Sequence, residues 1–250
     1  MVIAHEFWMA PSKYLLKQNE TFGFNCYAGE DFKETIWAKR KERTLQVFQY
    51  HLSTKKDITP AFKEKDSLSI RMQISEKGNH LIALRSIPSY IELDPTLFKT
   101  YLLEDGMMNI VEHRKKNGLE NKRSREFYQR CAKSLLIVDG IRDTSYKINT
   151  GMPLEIIPQQ NPYAVKVTDS LEVFVSFMGK ALVHYQLRSW CKKDGKLLVK
   201  AFYKTNAKGY AKIPISSKGE WMISLVKMEL HKATNKADYD SYWGSYTFLK

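Results

Sequence analysis

Leu68-Ser69-Ile70-Arg71-Met72-Gln73-Ile74 puts every apolar residue on one face and every polar residue on the other. Side chains leave a strand alternately on its two faces, so this period of two is the mark of a half-buried β-strand. Gly78 then turns the chain into His80-Leu81-Ile82-Ala83-Leu84, a returning strand. Upstream, Thr21 to Tyr27, Thr35 to Arg40 and Leu45 to His51 read the same way. Residues 5–93 are therefore expected to form an antiparallel β-sandwich.

The period changes after residue 93. Asp94-Pro95 is a helix start, with Asp as the cap and Pro at the first helical position. Leu97, Tyr101 and Leu102 follow at helical spacing up to Gly106, and a second helix is expected from Met107 to Lys116, stopping at Gly118. Ser124 is read as the cap of a third helix carrying Phe127, Tyr128, Cys131, Leu135 and Leu136 on its inner face. Residues 94–150 are thus expected to be a helical insertion. Residues 151–167 hold Pro153, Pro158 and Pro162 and read as a stiff, extended connector.

Alternation returns in Leu171, Val173, Val175 and Phe177, with a return from Leu182 to Trp190. Asp194-Gly195 is a hairpin signal, Thr205 to Gly209 a turn, and Trp221 to Leu230 and Ser241 to Leu249 close the block. The expected fold is mainly β: two β-sandwich domains of immunoglobulin or transthyretin-like type, at 5–93 and 168–250, with the helical insertion between them.

The formal net charge is +13, from 40 Lys and Arg against 27 Asp and Glu. Such an excess raises nucleic acid or an anionic surface as partners. The basic residues are spread along the whole chain, concentrated only between His113 and Lys133, and no helix-turn-helix, zinc-finger or RNP-type signature accompanies them. A basic surface is the better reading, with no nucleic acid. No apolar run reaches the ~18–20 residues a membrane helix needs. Cys26, Cys131 and Cys191 lack metal-ligand spacing and read as small buried hydrophobes. Val2-Ile3-Ala4 has the pattern of a signal-peptidase site, so the mature chain is expected to begin at His5 in the periplasm or cell envelope.

Several segments together resemble a bacterial family of periplasmic proteins of unknown function linked with nickel uptake (NikM/NikK-like). Ala4-His5-Glu6-Phe7-Trp8-Met9 is similar to that family's start, and Tyr101-Leu102-Leu103-Glu104-Asp105-Gly106 to a helical segment of it. Arg125-Glu126-Phe127-Tyr128 through Ala132-Lys133-Ser134-Leu135 and the connector Gly151 to Pro158 with Asn161-Pro162 follow in order. Ala237-Asp238-Tyr239-Asp240-Ser241-Tyr242-Trp243 resembles the family's close, with Tyr239 and Asp240 as departures. The resemblance implies an envelope protein tied to metal uptake and brings no catalytic role.

The chemistry agrees. A free amino-terminal His5 chelates through its α-amine and imidazole, which titrate near ~8 and ~6.5 and so bind a cation around neutral pH. Nitrogen-rich sites of this kind suit Cu(II) or Ni(II). His80, on the face of Ile82 and Leu84, is the expected second ligand, and Asp238 (or Asp240) an oxygen donor. His51, His113, His184 and His231 stand singly, without HxH or HExxH spacing, and read as structural or surface residues. Glu104-Asp105 reads as solvated charge at a helix end. No nucleophile elbow, phosphate-cradling loop or dinucleotide fingerprint is present, so no enzyme is expected. The sequence thus points to an accessory protein binding Ni or Cu, serving a membrane transport system. A structural or interaction module is the rival, and carbohydrate binding through Trp221, Tyr239, Tyr242 and Trp243 a third reading.

Overall fold

The computed structural model describes residues 6–33, 35–36, 44–61, 69–233 and 235–250. In chain order the first strands are β1 (Glu6–Pro11), β2 (Leu15–Leu16), β3 (Phe22–Gly29), β4 (Thr35–Ile36), β5 (Thr44–His51), β6 (Thr54–Asp57), β7 (Ser69–Met72), β8 (Gly78–Ser86) and β9 (Ser89–Leu93). Helices α1 (Pro95–Glu104) and α2 (Met108–Lys116) precede β10 (Ser124–Val138) and β11 (Leu154–Pro158). The rest is β12 (Ser170–Phe177), β13 (Lys180–Ala181), β14 (Gln186–Lys193), β15 (Lys196–Lys204), β16 (Tyr210–Pro214), β17 (Glu220–Leu230) and β18 (Tyr239–Leu249). The expected strand over Thr35 to Arg40 is seen as β4, with residues 37–40 outside the described residues.

These strands form three sheets. β1, β3, β4 and β7 make the first; β11, β12, β13 and β16 make the third. Between them runs a ten-stranded sheet in the order β15-β14-β17-β18-β10-β8-β5-β6, with β2 and β9 also paired to β10. Its alternate residues enter two different cores. Ile82, Leu84, Ala132, Leu136 and Met222 pack with Trp8, Phe24 and Ile70 of the first sheet. Leu81, Ala83, Cys131, Leu135 and Ile223 pack with Val173, Val175 and Ile213 of the third. The central sheet is the middle of three layers, buried on both faces.

The expected third helix is instead β10, a strand of 15 residues. Ala132 to Val138 is buried at every position, because both faces of β10 are covered. A strand buried on both faces loses its alternation and becomes a continuous apolar run that periodicity cannot tell from a helix. β10 also corrects the domain picture. It pairs antiparallel with β9 and β8 of the amino-terminal block and parallel with β18 of the carboxy-terminal block, Glu126 opposite Tyr239 through Ser134 opposite Thr247. One sheet therefore crosses the expected boundaries, and the two sandwiches are not separate units.

The first two helices form as read. Asp94 accepts from the Leu97 amide (3.0 Å) and Pro95 opens α1. After α2, Gly118 adopts φ +61° while the Leu119 amide bonds the Arg114 carbonyl (2.9 Å), a Schellman close. Phe98, Tyr101, Leu102 and Ile110 pack against Val226, Met228 and Tyr239 as a third core at one end of the central sheet. The three cysteines are buried, and burial pushes the Cys131 thiol up to about 12.

Inside this apolar frame lies an ion pair. Lys133 on β10 donates to Glu155 on β11, and both side chains are 2% exposed. The other Glu155 oxygen accepts from the Thr150 amide (3.1 Å), the Thr150 hydroxyl (2.6 Å) and the Met152 amide (2.8 Å). Removing one member of a buried pair leaves the other charge without compensation, a loss of about 3–5 kcal/mol. We expect Glu155→Gln to lose that much in urea unfolding, and Lys133→Met with Glu155→Leu to lose clearly less. A Glu155→Gln loss near zero would show that the pair does not hold the layers together.

Candidate functional site

Acidic side chains gather where β1 begins. Glu6 of β1, Glu30 and Asp31 after β3, and Glu104 and Asp105 at the end of α1 line a cleft of about 350 Å³ with Arg188 and Trp190 of β14 and Lys200 and Phe202 of β15. Five carboxylates face two cations there, in a chain of net charge +13. Arg188 donates to Glu6 and to Asp105, and also to the Glu104 carbonyl (3.1 Å). Lys200 holds Asp31 at 2.6 Å.

The local sequence explains this arrangement. Gly106 has φ +70°, and a Cβ there would lie 2.5 Å from the Gln186 side chain. The left-handed conformation at Gly106 favours glycine and brings the end of α1 onto β14, and that contact carries Asp105 onto Arg188. Asp105 is thereby buried, against the expectation of solvated charge, while Glu104 stays exposed. Burial pushes the Asp105 carboxyl up to about 7, with Glu6 and Glu104 adding to the rise against the pull of Arg188. Burial raises Glu6 too, again opposed by Arg188. Two desolvated carboxyls sharing one guanidinium leave the cleft short of positive charge. His5, the residue before Glu6, lies outside the described residues.

His80 points inward, as expected, and is fully buried. Its Nδ1 lies 3.0 Å from Gln49 Nε2 and its Nε2 2.9 Å from the Glu76 carbonyl, contacts that a neutral ring protonated on Nε2 satisfies. Burial lowers its pKa. The ring stacks on His51, centroids 4.3 Å apart, and His51 Nδ1 lies 3.0 Å from the Asn79 carbonyl. His51 is thus not single in space, a pairing that no sequence spacing signals. Asp238 accepts from the Arg125 amide (2.8 Å) and guanidinium (2.9 Å) at the opposite end of β10. His80 is opposite Leu136, eleven residues along the strand from Arg125, a separation of about 35 Å. One ion cannot take both His80 and Asp238, and that part of the expected ligand set is corrected. Among the described residues no three His, Cys, Asp or Glu side chains are grouped to hold a metal.

A further carboxyl, to which its sequence segment assigns no role, is Glu126. It is 2% exposed, and its Oε1 accepts from Tyr101 (3.4 Å) and from the Ser241 hydroxyl. Trp243 donates to Ser241 (3.2 Å) and stacks on Tyr101 at 5.5 Å. Burial pushes Glu126 up to about 7. Trp221, Tyr239 and Trp243 are buried and Tyr242 is half-buried, so these rings offer no platform for a sugar. Among the described residues no helix is long and apolar enough to cross a membrane.

Residues 2–229 match the family described as "Domain of unknown function (DUF4198)", and the chain belongs to it. No curated protein matches the chain. Similar solved structures include the D0-D1 domain of intimin, at 10% identity over 98% of this chain and 98% of that one, with a TM-score of 0.22. Another is a marsupial T cell receptor, at 10% identity over 97% of this chain and 73% of that one, with a TM-score of 0.25. Likeness at these scores carries no argument.

Glu126 yields a pH prediction. Its folded pKa of about 7 stands above the ordinary 4.5, so the unfolded chain releases this proton first as pH rises. Its contribution to stability is therefore present below the ordinary value and is lost as pH climbs through about 7. Glu126→Gln keeps the acceptor for Tyr101 and Ser241 without the charge. Relative to the parent it should gain up to about 1.4 kcal/mol per pH unit across that window. Urea unfolding at pH 4.5, 6 and 7.5 checks this; a difference that does not change with pH would place the Glu126 pKa near its ordinary value.

Proposed function

We propose that this DUF4198 protein is a non-catalytic accessory protein of the bacterial cell envelope that binds a transition-metal cation, Ni(II) or Cu(II), at the acidic cleft beside β1. The observation that carries the reading is the cleft's five carboxylates set against Arg188 and Lys200 in an otherwise strongly basic chain. Processing before His5 would give an α-amine and an imidazole next in the chain to Glu6, and nitrogen donors of this kind suit these metals. Glu6 and Asp105, as oxygen donors, take the place of His80, the expected second nitrogen ligand, and of Asp238, the expected oxygen donor. Burial puts the Asp105 carboxyl at about 7, so metal binding displaces its proton near neutral pH, and with Glu6 raised as well affinity rises with pH. A cation held in competition with the Arg188 guanidinium is readily exchanged, which suits delivery to a membrane transport system.

A second reading, an interaction module, is favoured by one observation. Edge strand β15 turns Leu198 and Phe202 to solvent, 50% and 54% exposed, between Lys196, Lys200 and Lys204. Exposed apolar edges are docking surfaces for other chains.

Calorimetric titration of Ni(II) and Cu(II) separates the two. Protein beginning at His5 should bind at least about tenfold more tightly than the form beginning at Met1, and about tenfold more tightly than its own Asp105→Asn variant. Equal binding by all three would move the site elsewhere. No binding by any of them would leave the interaction module as the reading.

A further inference from the structure

The turn joining β14 to β15, the turn before β17 and the end of β18 enclose a second cleft, of about 620 Å³. Its walls carry Lys33, Lys192, Lys193, Lys218 and Lys250, against Asp194 and Glu220. Glu220 is already engaged: it accepts from the Tyr14 hydroxyl (2.9 Å) and stands 3.5 Å from Lys192 Nζ. Among the described residues Lys33, Lys193 and Lys218 have no acidic partner. The charge of this cleft is the reverse of the one at β1.

The backbone is shaped to bring these lysines together. A Cβ on Gly219 would stand 2.5 Å from the Lys192 carbonyl and 2.9 Å from Cys191 Sγ, so only glycine lets the Lys218 turn lie against the end of β14. Gly219 and Lys250 exchange two backbone hydrogen bonds of 2.8 Å, which sets the Lys250 end beside that turn. Lys192 is fixed as well, with its side chain 11% exposed and its ammonium 4.4 Å from the Phe32 ring centre. The Lys250 ammonium donates to the Tyr163 carbonyl (3.5 Å); burial lowers its pKa, and the neighbouring Arg142 and Lys218 charges add to the fall.

We propose that this cleft binds a small anion carrying at least two phosphoryl groups. Ammonium groups are compact point charges suited to phosphoryl oxygens, and several of them spread around one cavity are matched by a ligand with several charged groups. The volume falls within the ~300–1,000 Å³ of small-molecule sites. Nucleic acid fits less well, because the lysines converge on a concavity and do not track along a face. The aromatic ring of the wall, Phe32, is 2% exposed, which leaves no surface for base stacking. The ligand's source is either a soluble diphosphate or the headgroup of a diphosphorylated lipid.

The probes are pyrophosphate and orthophosphate, titrated calorimetrically at low salt into the full chain without added metal. Pyrophosphate should bind at least about tenfold more tightly than orthophosphate, and Lys193→Gln with Lys218→Gln should weaken it at least about tenfold. Both lysines are exposed, and an unchanged melting temperature confirms an intact fold. Lys180→Gln with Lys208→Gln, exposed positions on the third sheet and its turn, should leave binding unchanged. An equal loss in that control, or no pyrophosphate binding by the parent chain, would overturn the proposal in favour of general surface charge. Sedimentation with cardiolipin vesicles, lost in the Lys193/Lys218 variant, would assign the ligand to a lipid headgroup. Pyrophosphate binding without such sedimentation would assign it to a soluble anion, and either result upholds the site.

Discussion

A lysine inside the middle of a three-layer β structure is the constraint around which the molecule is arranged. Lys133 sits on β10, whose neighbours on both sides are strands and whose two faces are both covered. Its ammonium has no route to water, and an uncompensated charge in such a place costs several kcal/mol. Glu155 supplies the opposite charge, and Thr150 and Met152 satisfy the remaining Glu155 oxygen. The connector after residue 150 is therefore tied to the centre of the sheet by a charge, and β11 leads the third sheet onto that face. On the other face Thr247 of β18 donates to the Met9 carbonyl (2.7 Å) and stands 2.8 Å from Ser134, which seats β1 beside the same strand.

The functional geography follows from that seating. With β1 fixed on the central sheet, Glu6 meets Arg188 near the start of β14, while the end of the same strand supplies Lys192 and Lys193 to the basic cleft. Arg188 and Lys192 are four residues apart, about 13 Å along the strand. Two clefts of opposite sign thus share one strand. At that distance bulk salt screens most of the interaction between exposed groups, so the two clefts are electrostatically largely independent. The net charge of +13 conceals this division, because a sum over the chain carries no information about position.

How much of this was legible depended on whether the signal was local. Leu171, Val173 and Val175 alternate because β12 covers a core with one face and meets its surroundings with the other, and the strand could be read at once. Asp94-Pro95 and Gly118 act within a helical turn of themselves, so α1 and α2 stand where their capping residues put them. β10 could not be read because burial on both sides erased the pattern on which strand recognition rests. The sites were harder still. Arg188 is 182 residues from Glu6 and 83 from Asp105, and His51 meets His80 only through the pairing of β5 with β8. Spacing rules find ligands that share a turn or a helix face; they are blind to groups assembled by a sheet.

The segments that carried the sequence resemblance meet in the interior. Tyr101, Glu126, Ser241 and Trp243, drawn from three of them, form one buried hydrogen-bonded cluster, and Lys133 and Glu155, drawn from two, form the central ion pair. A buried polar group is worth most when every partner is in place and costs most when one is missing. Residues in such clusters are constrained by one another whatever the protein binds. Of the resembling segments, the one beginning at His5 also supplies Glu6 to a cleft, and the segment ending at Gly106 supplies Asp105 to the same one. Glu6 and Asp105 meet there through Arg188, so the acidic cleft is assembled by this chain's own fold.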